Sequence, residues 1–102
     1  MNHLKLKRAE FDSVMHSGEN LLIYFYKEKD PASTLGMERI RQLEQLVAKN
    51  FRIYIVDISE DPEICDAFDV VSAPQIVAMK NCRIYKRTED LLYANQILDL
   101  LK

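Results

Sequence analysis

The run Leu21-Leu22-Ile23-Tyr24-Phe25-Tyr26 constrains this chain more than any other stretch. It is apolar or aromatic at every position, the pattern of a strand covered on both faces of a parallel-type sheet, which makes it the candidate central strand. Lys27-Glu28-Lys29 separates it from Asp30-Pro31. Asp is a favoured N-cap, and Pro is favoured at the first helical position, where its missing N–H costs nothing. The strand therefore runs straight into a helix N-terminus, where backbone donors and the helix dipole favour an anion or a thiolate.

The flanking segments supply what a doubly covered strand needs. His3 to Lys7 alternates as a short edge strand, and Arg8 to Gly18 carries Phe11, Val14 and Met15 at helical spacing with Gly18 placed to end the helix. A second helix is expected over Pro31 to Lys49, with Ile40, Leu43, Leu46 and Val47 on its apolar stripe. Gly36 inside it predicts a bend or a close packing contact. Phe51 to Ile58 reads as a strand, followed by a short helix capped at Asp61-Pro62 with Ile64, Ala67 and Phe68 as its apolar face. Gln75 to Lys80 and Cys82 to Arg87 form a hairpin about Asn81 at the far sheet edge. A last helix is expected from an N-cap at Thr88, carrying Leu91, Ala94, Ile97, Leu98 and Leu101. The order βαβαβαββα predicts one α/β domain over residues 1–102, with a mixed five-stranded sheet and helices on both faces.

Composition removes several classes of function. With 102 residues and a net charge of −2, the chain holds one core and no basic field for nucleic acid or a membrane surface. No apolar run reaches the length of a membrane span, and Met1-Asn2-His3 opens no signal peptide, so a cytoplasmic protein is expected. Cys65 and Cys82 are too few for a disulfide-stapled domain and are not spaced as a metal or redox pair. No metal and no cofactor is expected.

The order of elements and the residues at their joints resemble the thioredoxin family. Leu22-Ile23-Tyr24-Phe25-Tyr26 resembles the strand leading to that family's active site, and Val56-Asp57-Ile58-Ser59-Glu60-Asp61-Pro62 its "nvDxnp" segment. Phe68 to Ile76 is similar to the "ygVrgiPTl" stretch, which places Pro74 at the family's cis-proline, and Lys80-Asn81-Cys82 occupies its "KNG" turn. The resemblance spans nearly the whole chain and implies a three-layer thioredoxin-like fold. It also implies that the family's Trp-Cys-Gly-Pro-Cys falls on Lys29-Asp30-Pro31-Ala32-Ser33, so both active-site cysteines are absent, and that the family's buried acid is replaced by Tyr24. Thiol–disulfide exchange needs an accessible thiolate. Asp30 and Ser33 supply none.

Two readings of Asp30 stand together. As an N-cap it accepts from a backbone N–H two or three residues on and places a carboxylate at the positive end of the helix. As a recognition group it forms, with Lys29 and Ser33, a polar site that receives a partner, while the backbone at Ala73, before Pro74, pairs with an extended peptide as the resemblance implies. A hydrolytic Ser33 has no base near it in sequence, since His3 and His16 lie outside the expected site. Cys65 reads as a small buried hydrophobe, and Cys82, in a hairpin turn, as the more accessible thiol. They flank a strand about 20 Å long, whereas a disulfide needs Cα atoms within about 7 Å.

The expected function is a redox-inactive protein- or peptide-binding module rather than an enzyme. The alternative is an atypical thiol oxidoreductase of cell redox homeostasis using Cys82 or Cys65. Lys80, Arg83, Lys86 and Arg87 make the edge hairpin basic, which also discourages strand-to-strand aggregation. A third reading seats a partner on that hairpin or on the last helix, where Leu92 and Leu100 leave apolar surface.

Overall fold

A computed structural model describes residues 3–46 and 51–101. Its elements run β1 (His3–Lys5), α1 (Arg8–Met15), β2 (Leu21–Tyr26), α2 (Pro31–Leu46), β3 (Arg52–Asp57), α3 (Pro62–Ala67), β4 (Gln75–Lys80), β5 (Arg83–Thr88) and α4 (Ala94–Leu100). The strands form one mixed sheet in the order β1-β3-β2-β4-β5, with three-residue β1 at one edge. β3 lies parallel to both β1 and β2, whereas β4 is antiparallel to β2 and to β5.

β2 is buried at all six positions, as its unbroken apolar run requires. Its side chains alternate between two cores. Leu22, Tyr24 and Tyr26 pack with Ile40 and Leu43 of α2 and Ala94 and Ile97 of α4. Leu21, Ile23 and Phe25 point the other way, into a core with Ile64, Cys65 and Phe68 and with half-buried Phe11, Val14 and Met15 from α1. Helices thus cover both faces. Among the described residues no helix is long and apolar enough to cross a membrane.

Several expected boundaries move, each for a local reason. α1 stops at Met15, capped by the His16 N–H on the Asp12 carbonyl, and Gly18 falls in the following turn with φ +75°. Leu46 ends the described part of α2 as an exposed residue rather than a core one, and Val47 and Lys49 lie outside the described residues. On α3 it is Cys65, not Ala67, that joins Ile64 in the core. Asp61 offers that helix no side-chain cap; its carboxylate sits 3.6 Å from the Lys7 ammonium.

α4 starts at Ala94, not after Thr88. Thr88 is the last residue of β5, paired with Ile76, and its Oγ1 accepts from the Asp90 N–H. The helix is begun instead by Gln96, whose Oε1 accepts from the Tyr93 N–H at 2.8 Å. Leu91 and Tyr93 are therefore exposed, whereas Leu92 and Leu100 are half-buried.

Candidate functional site

β2 delivers the chain to α2 through a turn closed by the Asp30 N–H on the Lys27 carbonyl, with Lys29 in the left-handed region at φ 62°. Asp30 Oδ2 accepts from the Ser33 N–H at 2.8 Å. That is an N-cap, meeting one of the helix's unpaired donors and setting a carboxylate against the positive end of its dipole. Asp30→Ala is accordingly expected to cost about 1 kcal/mol in a urea melt, with Asp30→Asn retaining most of the stability.

Ser33 is buried, and its hydroxyl is engaged, accepting from the Lys27 N–H at 3.1 Å. The side chain proposed from sequence as a contact group is thus a fastener between the β2–α2 turn and the helix. Its carbonyl accepts from the Tyr24 hydroxyl at 2.7 Å. Burial, with a smaller contribution from the Asp30 charge, pushes the Tyr24 phenol well above its ordinary pKa, so it stays neutral and donates. Gly36 lies directly against that ring. A Cβ there would come 2.1 Å from the Tyr24 hydroxyl oxygen and 2.9 Å from Cζ, so the close contact expected from sequence is real.

The segment from Val70 to Gln75 flanks the same helix. Ala73–Pro74 is a cis peptide bond. Pro74 shares a small void of about 10 Å³ with Gly36, Tyr24 and Leu92, which places it against α2 on the Tyr24 side. Val71 is 88% exposed, and neither the N–H nor the C=O of Ala73 has a hydrogen-bond partner among the described residues. Behind this segment Arg87 holds the chain in place. Its guanidinium donates to Phe68 O at 2.8 Å, Gln75 Oε1 at 2.9 Å and Asp69 O at 3.4 Å.

On the other side of the helix start, a cavity of about 230 Å³ opens between Lys27, Lys29, Thr34, Met37 and Arg41 over Tyr26. Lys29 reaches this cavity, so the expected site residues divide around α2, with Lys29 on one flank and Ala73–Pro74 on the other. The cavity wall was missed from sequence, although Thr34, Met37, Glu38 and Arg41 recur at helical spacing on one stripe of α2. Among the described residues no cluster of His, Cys, Asp and Glu could hold a metal ion.

Neither thiol is at the helix start. Cys65 is buried in the α1–α3 core, and burial, with Asp61, Asp66 and Asp57 adding to it, pushes its thiol pKa up. Cys82 is exposed in the β4–β5 turn. Because Leu21 pairs with Met79 and Phe25 with Gln75, that turn lies at the opposite end of β2 from Asp30, about 20 Å away along the strand.

Similar proteins share this arrangement of elements. The structure of Trxlp from Edwardsiella tarda superposes with a TM-score of 0.84 over 98% of both chains at 16% identity. A mutant thioredoxin of Halobacterium salinarum gives 0.83, covering 96% of this chain and 85% of that one, again at 16% identity. This chain has the thioredoxin fold. In sequence, the thioredoxin 2 of Plasmodium falciparum is 23% identical over 82 residues, 80% of this chain, and the chain spans about half the length of that relative. The solved structure of the malaria parasite's thioredoxin-2 matches with a TM-score of 0.77 over 81% of each chain at 22% identity. No family model matches the sequence. Within the thioredoxin fold, the turn after β2 and the segment before Pro74 are the joints that the resemblance in sequence singles out.

Proposed function

We propose that this chain is a redox-inactive thioredoxin-like module that binds an extended segment of a protein or peptide along Val71 to Pro74 and the turn Lys27 to Pro31. The observation that carries the reading is the unpaired Ala73 backbone beside an 88% exposed Val71, an arrangement that offers one donor, one acceptor and an apolar contact to an incoming strand. Support also comes from the helix start, where the carboxylate of Asp30 takes the position that a catalytic thiolate would need. Ser33 is left out of the contact surface because its hydroxyl is already engaged. A cytoplasmic setting belongs to the same proposal and rests on the cysteine-poor composition.

The test is selection of linear peptides from a displayed library on the parent protein, followed by titration against Val71→Asp and Asp30→Ala at a temperature where both are folded. Val71→Asp is expected to abolish binding, and Asp30→Ala to weaken it by more than its loss of stability explains. Unchanged binding by both variants would refute the surface. The second reading, a single-thiol oxidoreductase, draws on the exposure of Cys82.

A further inference from the structure

We infer that the β5 edge hairpin is a second docking surface, fitted to an acidic extended segment of a partner protein. β5 is the outer strand of the sheet, and every residue from Arg83 to Arg87 is exposed. No acidic residue occurs between Lys80 and Thr88, although the chain as a whole carries a net charge of −2.

The arrangement of the cations is what points to a partner. Ile84 pairs with Met79 and Lys86 with Ala78, so Tyr85 is the inserted residue of a bulge. Its ring lies 4.1 Å from the Lys80 ammonium and 5.7 Å from that of Lys86, and Lys80 is also 5.9 Å from the Phe51 ring. Arg83 stands directly opposite Lys80 in the ladder. Like charges in that position repel. Lys7, Arg8, Arg41 and Arg52 each face a carboxylate within the chain, but Lys80, Arg83 and Lys86 have no acidic partner among the described residues. Arg87 points to the other face, where Phe68, Asp69 and Gln75 hold it.

Charge on an edge strand is enough to discourage aggregation. It does not by itself explain three unpaired cations gathered with two aromatic rings on one face of an acidic protein. A strand alternating carboxylates with apolar residues complements this edge: its acids, all on one side, meet Lys80, Arg83 and Lys86, and its apolar side chains, turned to the other, lie on Ile84, which stands with Met79 on the opposite face and is 45% exposed. Nucleic acid fits less well, because a field of this size is small beside the chain's overall negative charge and Glu89-Asp90 follows at once.

A fluorescent peptide of about eight residues alternating Glu and Val, titrated by anisotropy, tests this surface. The parent is expected to bind it, more weakly as salt rises from about 0.05 to about 0.5 M. Arg83→Gln/Lys86→Gln should weaken binding about tenfold, whereas Arg8→Gln/Arg52→Gln, which removes equal charge elsewhere, should leave it within about twofold. Both variants alter exposed side chains, and matching thermal melts establish that each is folded. The inference is overturned if the parent does not bind, if the two variants bind alike, or if a single-stranded oligonucleotide of equal charge binds more tightly than the peptide.

Discussion

Replacing Gly36 by alanine is expected to lower the stability of the protein by about 2–3 kcal/mol. The added methyl would sit 2.1 Å from the Tyr24 hydroxyl oxygen and 2.9 Å from Cζ, and Tyr24, only 1% exposed, has beside it a void of only about 10 Å³, too small to take the displaced ring. Forcing a carbon into a packed core costs about 1–3 kcal/mol, and displacing the ring also breaks its hydrogen bond to the Ser33 carbonyl, about 1 kcal/mol more, against a gain of about 0.5–1 kcal/mol from exchanging a helical Gly for Ala. Tyr24→Phe alone should cost about 1 kcal/mol. Gly36→Ala/Tyr24→Phe should be less destabilised than the sum of the two, because the nearest clashing atom is gone. Additive costs, or a Gly36→Ala protein as stable as the parent, would mean that the ring and the helix do not meet in this way.

The same tyrosine makes a prediction in alkali. Its pKa in the fold is raised above the unfolded value of about 10, so its contribution is complete below that pH and declines as pH rises toward the folded value. Tyr24→Phe should therefore flatten part of the loss of stability above about pH 10.

Arg87→Ala is expected to cost a further large amount, about 2–3 kcal/mol. The guanidinium satisfies two carbonyls at the end of α3 and the side-chain oxygen of Gln75, itself buried. Hydrogen bonds from a charged donor are worth about 1.5–3 kcal/mol, and removing the donor leaves the Gln75 acceptor without it. Because Arg87 holds the carbonyls of Phe68 and Asp69, the variant should also speed amide exchange at Phe68 to Val70, whose N–H groups bond to carbonyls of α3, more than in β2. A variant whose melting curve and exchange match the parent's would contradict this account of how the segment before Pro74 is held.

The central strand, the helix that follows it and the hairpin were legible in sequence, because each depends on a local pattern: an unbroken apolar run, Asp-Pro after a strand, and two strands about Asn81. What escaped depends on contacts between distant residues. β3 lies between β1 and β2 in the sheet, which no periodicity reveals. Thr88 resembles an N-cap in isolation, but pairing with Ile76 draws it into β5. Asp61 likewise has the residue type of a cap and spends its carboxylate on Lys7.

Ser33 shows the same limit at the site. Its hydroxyl suggested a contact group, and only the fold reveals that the Lys27 N–H is its partner. Cys82 is instructive in the opposite sense. It stands in the left-handed region at φ 64° beside Asn81 at φ 54°, a two-residue turn for which Asn-Gly is the favoured pair, so the likeness to a "KNG" turn located it although the side chain itself argues against that backbone.

At the centre of the proposed function is a helix start after β2 that is capped by the Asp30 carboxylate and is proposed to carry no redox chemistry. The most direct test is the rate at which the protein reduces a disulfide-bonded substrate in dithiothreitol, measured for the parent beside Cys65→Ser/Cys82→Ser. Both proteins are expected to show the uncatalysed rate. Turnover by the parent that disappears with the two cysteines would contradict that expectation and move the functional site to Cys82 or Cys65.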